Sequence, residues 1–164
     1  MTASVTSKET GYLPVFNTTL NPISKMDSHP SLTKTWHTDT YAAIDPKRLE
    51  LSVKGKKIVI TGGGSGVGRG FCESFATGGA ASIAILGRRE AVLQQAKKGL
   101  VAKYEGLEVT THVADVADAV SVENAAKEIG EWDILVANAG VLPEIGSLVD
   151  VDSNNWWQGF EVSR

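Results

Sequence analysis

Thr61–Gly70, TGGGSGVGRG, places six glycines in ten residues directly behind the apolar run KKIVI. An apolar run of this length reads as a strand covered on both faces. The residues that follow read as a helix from about Val67 to Thr77, with Phe71 and Phe75 on one face and Gly78-Gly79 as its stop. A turn of bare backbone between a buried strand and a helix lets a phosphate approach without meeting Cβ atoms. The helix N-terminus adds free N–H groups and positive potential, so the stretch reads as an anion cradle. A turn that uses its glycines only for close packing is the alternative on the loop alone.

Two phosphate-binding patterns are excluded by spacing. The Gly63-to-Gly68 span is followed by Arg69-Gly70, where a nucleoside-triphosphate loop needs lysine and then a hydroxyl residue. No Gly-x-Gly in the run has glycine three places further on, so the GxGxxG dinucleotide pattern fails in every register. What fits is Thr-Gly-x-x-x-Gly-x-Gly, at Thr61, Gly62, Gly66 and Gly68, with Ser65 and Val67 between the glycines.

Downstream, short apolar runs alternate with amphipathic stretches, the pattern of βαβ units in a parallel sheet. A second strand, ASIAIL, ends at Leu86 and precedes a helix from about Arg89 to Tyr104 striped by Leu93, Ala96, Leu100 and Tyr104. LEVTTHV alternates and so belongs nearer a sheet edge. A third helix, about Asp118 to Ile129, turns Ala119, Val122, Ala126 and Ile129 inward, and DILVAN is the fourth strand. The fold class is therefore α/β, a Rossmann-type doubly wound parallel sheet of about four strands over residues 51–164. Residues 1–50, rich in Ser, Thr and Pro without a sustained period, read as a loosely ordered N-terminal arm.

The Thr61–Gly68 spacing resembles the cofactor loop of the short-chain dehydrogenase/reductase family. Two further stretches strengthen the resemblance, each at the end of an expected strand, where open α/β sheets bind ligands. VANAG, Val136–Gly140, is similar to the family's Asn-Ala-Gly signature, which implies a sheet-bracing role for Asn138 and a backbone passing the cofactor ribose at Ala139 and Gly140. VADVAD resembles the family's adenine-side acid, which implies contacts at Asp115 and Val116; an acid near a helix start serves equally as a cap. The resemblance spans about Lys54 to Val162 and implies a nicotinamide dinucleotide partner and hydride transfer with a small carbonyl or alcohol. Past the second strand, ILGRRE puts Gly87 where NAD-preferring relatives place Asp, and Arg88 next. That favours NADP over NAD, with Arg69 adding charge from the loop side. A solvated helix start at Arg88-Arg89, or Glu90 facing the ribose, is the competing reading.

The family's proton donor is a Tyr-x-x-x-Lys pair beyond the fourth strand. Here Tyr12, Tyr41 and Tyr104 are followed four on by Phe16, Asp45 and Glu108, so no catalytic residue is assigned. NNWWQGFEV resembles the start of the family's next long helix, and the expectation is a chain truncated after the cofactor half, with the relatives' oligomer interface mostly absent and its fourth strand an apolar edge. A catalytically inactive nucleotide-binding remnant, or a protein that pairs through that edge, is the alternative. The net charge of -3 and scattered Lys and Arg argue against nucleic acid. No window suggests a membrane span or a metal site, and a single cysteine, Cys72, fits a buried role in a cytoplasmic protein.

Overall fold

The computed structural model describes residues 40–147 and 149–163; of the expected N-terminal arm, residues 1–39 lie outside the described residues. Residues 40–51 carry two short 3-10 turns, Ala42–Ile44 and Leu49–Leu51. Strand β1 (Lys57–Thr61) leads through the glycine turn into α1 (Gly66–Thr77), followed by β2 (Ser82–Gly87), α2 (Glu90–Lys103), β3 (Glu108–Val113), α3 (Ala119–Ile129), β4 (Ile134–Val136) and α4 (Ser153–Ser163). All pairings are parallel and the sheet order is β3-β2-β1-β4. The continuous apolar run thus lies inside the sheet and the alternating strand at one edge, as the pattern of each demands.

Successive residues of β1 serve opposite faces. Ile58 and Ile60 join Ile83, Ile85 and Val109 under α1 and α2, where Leu93, Ala96 and Leu100 supply the helical side. Val59 faces the other way with Ala84 and Leu86, against Ala125 and Ile129 of α3. Helices therefore cover both faces of one parallel sheet, which is the doubly wound arrangement.

Three expectations about detail need correction. In α1 the inward stripe is Gly68 and Cys72, both buried, with Phe75 and Ala76 partly buried beside them, rather than Phe71 with Phe75, and Phe71 is exposed. A Cβ at Gly68 would sit on the Gly62 carbonyl, so this missing side chain sets which face of the helix meets the sheet. In α3 the inward positions are Ser121, Ala125 and Ile129, spaced i, i+4, i+8, while Ala119 and Val122 are exposed. Ser121 accepts the Asp115 N–H at 3.2 Å, so a polar residue completes the stripe. Strand β4 is three residues long, not six, although the Asp133 N–H still donates to the Lys57 carbonyl of β1 at 2.9 Å. At its start the Asp133 carboxylate accepts the Lys57 N–H and a Lys56 Nζ–H, each at 2.8 Å. At its end the backbone turns to the Thr61 side chain.

Candidate functional site

The C-terminal ends of the four strands open into a cleft of about 380 Å³. Its floor is the glycine turn. Gly62 has φ +70° and Gly66 φ +53°, the left-handed region where glycine alone is unstrained. A Cβ on Gly62 would stand 3.0 Å from Asn138 Nδ2 and 3.1 Å from Ala139 Cα, so a side chain there would also crowd its neighbours. A Cβ on Gly66 would meet nothing within 4 Å, so this position looks into open space at the first residue of α1. The turn thus combines both uses of glycine: a packed base and an open lip.

One wall is fixed by Thr61. Its hydroxyl oxygen accepts the N–H groups of Asn138 at 3.0 Å and of Ala139 at 2.9 Å. Asn138 returns the contact, its Nδ2 donating to the Thr61 carbonyl at 3.0 Å. Two strand ends separated by more than 70 residues of sequence are thereby clasped side by side. The clasp places Asn138, Ala139 and Gly140 along the cleft, which Ser65, Val67 and Gly68 also line.

The other wall comes from β2 and β3. Gly87 pairs in register with Val113, and Ala114 N–H donates to the Gly87 carbonyl at 3.1 Å, which carries the ladder just past both strands. Arg88, Asp115 and Val116 follow and line the cleft, with Arg89 and Val92 beside them. Arg88 Nη1 lies 3.8 Å from Asp115 Oδ2, an ion pair longer than a hydrogen bond. Asp115 Oδ1 accepts the Ala117 N–H at 3.0 Å, so the acid also shapes its own turn.

Of Gly62, Ser65, Gly66, Val67, Gly68, Arg88, Asp115, Val116, Asn138, Ala139 and Gly140, all but Gly66 line the cleft, and Gly66 lies between the lining residues Ser65 and Val67. Arg69 is different. Its guanidinium runs between α1 and α2, Nη2 lying where a Cβ on Gly99 would be 2.5 Å away and Nε 3.5 Å from Glu73 Oε1, so it adds no charge to the cleft. That Nε is buried and makes no hydrogen bond. Glu73 also accepts from Lys103 Nζ at 2.7 Å. The Lys103 hydrogen bond, more than the two nearby charges, holds the Glu73 carboxyl below its ordinary value. Burial in the same helix pushes the Cys72 thiol up to about 11, although the Arg69 charge pulls the other way. Neither group faces the cleft. Sequence reasoning missed the double acceptor role of the Thr61 hydroxyl, whose only signal was its place ahead of the glycines. Among the described residues no cluster of three or more His, Cys, Asp or Glu side chains could hold a metal ion, and no helix is long and apolar enough to cross a membrane.

A family model described as short chain dehydrogenase matches residues 56–163, the whole of the sheet, the cleft and α4. The chain belongs to the short-chain dehydrogenase/reductase family. It is an oxidoreductase family, and two solved structures to which this chain is similar hold different cofactors. An L-sorbose reductase from Gluconobacter frateurii, complexed with NADPH and L-sorbose, superposes with a TM-score of 0.63 at 30% identity over 70% of this chain and 44% of that one. An NAD+-bound xylitol dehydrogenase gives a TM-score of 0.59 at 25% identity over 66% of this chain and 42% of that one. Among curated relatives, the short chain dehydrogenase pigC of Monascus ruber is 42% identical over 140 residues, 80% of this chain and 45% of its own length. The chain spans less than half the length of the curated relatives it matches.

Proposed function

We propose that the cleft binds NADP(H), and that the chain carries the cofactor-binding half of an NADP-dependent oxidoreductase acting on a small carbonyl or alcohol. The observation that carries this reading is the combination of an open-lipped glycine at the first residue of α1 with the Arg88 guanidinium at the end of β2. The residues fit a dinucleotide in their chemistry. Backbone N–H groups at the start of α1 suit a diphosphate, Arg88 suits a 2′-phosphate, and the Asn138–Gly140 backbone is assigned to the ribose. When bound, the nicotinamide supplies the hydride acceptor or donor. The chain's own part is to hold the diphosphate, orient the sugar and choose between the phosphorylated and unphosphorylated forms.

Titration of the full chain with NADPH and NADH, followed by tryptophan fluorescence, tests this. NADPH is expected to bind more tightly. Arg88→Ala is expected to weaken NADPH by about tenfold, the value of one charge-assisted contact at an exposed site, and NADH much less. Equal losses for the two would overturn the 2′-phosphate assignment, and no binding of either would overturn the whole reading. Because no tyrosine in the sequence is followed four on by lysine, no NADPH consumption with ketones is expected from these 164 residues.

A second reading, pairing with another chain, is favoured by one feature. Among the described residues the outer edge of β4 has no partner strand, and Leu135 there is 54% exposed. A monomer at all concentrations in sedimentation would dismiss it.

A further inference from the structure

The Arg88–Asp115 pair offers more than a lining for the cleft. We infer that Asp115 is a specificity-determining residue that restrains recognition of the 2′-phosphate by competing for Arg88, an inference that rests on the reading of the cleft as an NADP(H) site. The juxtaposition is built by the sheet. Gly87 and Val113 are register partners and Ala114 N–H extends the ladder to the Gly87 carbonyl, so the residues that follow leave the sheet side by side.

The two partners are held unequally. Asp115 is anchored through its backbone N–H to Ser121 Oγ at 3.2 Å and through Oδ1 to the Ala117 N–H at 3.0 Å, which leaves Oδ2 directed at Arg88. Beyond this pair, the Arg88 guanidinium makes no hydrogen bond or ion pair with the described residues, and its side chain is 63% exposed. A phosphate dianion offers more charge and three acceptor oxygens to a planar fork of five donors, so it takes the arginine from a single carboxylate oxygen at 3.8 Å. NADH has no such group, and the Arg88–Asp115 pair persists when it binds. The carboxylate therefore penalises the phosphorylated cofactor alone, and the preference for NADP(H) is smaller than Arg88 by itself would give.

Asp115→Asn removes the charge while keeping Oδ1 as acceptor for the Ala117 N–H, and Asp115→Ser keeps a short oxygen there as a second variant. The readout is the ratio of NADPH to NADH affinity, measured by fluorescence titration of the full chain. Either variant is expected to raise that ratio about two- to fivefold, the range for releasing an exposed ion pair, and the increase is expected to disappear in the Arg88→Ala background. An unchanged ratio in a wild-type-like binder overturns the competition while leaving the cofactor site intact. An increase that persists in the Arg88→Ala background assigns the effect to direct repulsion or to Arg89 and overturns it too. Loss of both cofactors by both variants shows that Asp115 serves only the shape of the cleft, and failure of the wild type to bind either cofactor removes the site itself.

Discussion

Replacing Thr61 by valine keeps the shape of the side chain and deletes one oxygen, and that oxygen is the shared acceptor for the Asn138 and Ala139 N–H groups, at 3.0 and 2.9 Å. Both donors then lack a protein partner in a half-buried position. A fully buried orphan donor costs about 1–3 kcal/mol, and partial access of water puts each of these near the lower end, so Thr61→Val is expected to destabilise the fold by about 2 kcal/mol. For a folded unit of this size that lowers the unfolding midpoint by about 6–10 °C. Thr61→Ser keeps the hydroxyl and is expected to lose less than about 1 kcal/mol, most of it from a missing methyl. Urea and thermal unfolding of the three proteins by far-UV circular dichroism give the comparison, and hydrogen exchange at Asn138 and Ala139 localises the effect. Equal loss for valine and serine, or a valine variant within about 0.5 kcal/mol of wild type, would refute the clasp as a stabilising element.

Gly66→Val puts a β-branched side chain at φ +53° where a Cβ meets nothing, so it is expected to lose about 1–3 kcal/mol through backbone strain and to abolish NADPH binding; an unchanged titration would sink the cradle. Cys72, with its thiol pushed up to about 11 by burial, is expected to react with a thiol reagent at pH 8 only as fast as the chain opens, and rapid labelling of the native protein would contradict its position. Glu73 has a folded-state pKa below its ordinary 4.5, chiefly through the Lys103 hydrogen bond. Its contribution is thus present above about pH 4.5 and lost as pH falls through the lowered value. Glu73→Gln should flatten the acid side of the stability profile in that window, and a profile identical to wild type would remove Glu73 from the account.

Legibility followed the strength of the local pattern. β1 and β3 could be assigned to interior and edge because full burial and half burial write different hydrophobic periods, and the Leu93, Ala96, Leu100 stripe of α2 has every inward position apolar. The stripe of α3 was misread because Ser121 fills an inward place with a hydroxyl that accepts a backbone N–H. The stripe of α1 was misread because glycine at position 68, not an apolar side chain, is what touches the neighbouring turn. The cleft residues were legible as a set, since strand ends and the glycine spacing mark them, but their partners were not. That Arg69 turns toward Gly99 while Arg88 turns toward Asp115 depends on helix rotation and on the β2–β3 register, neither of which a single sequence states.

The pairing of β1 with β4 has a consequence for biogenesis. Ile58 lies beside Ile134, so β1 leaves the ribosome 76 residues before the partner for one of its flanks exists. At about 5–20 residues per second that is a wait of about 4–15 s, long against the microseconds in which a nascent helix forms. Once β2 has emerged, Ile58, Val59 and Ile60 have it on one side and no strand on the other until β4 follows, which makes the nascent chain, more than the finished one, the form that holdase chaperones would be called on to shield.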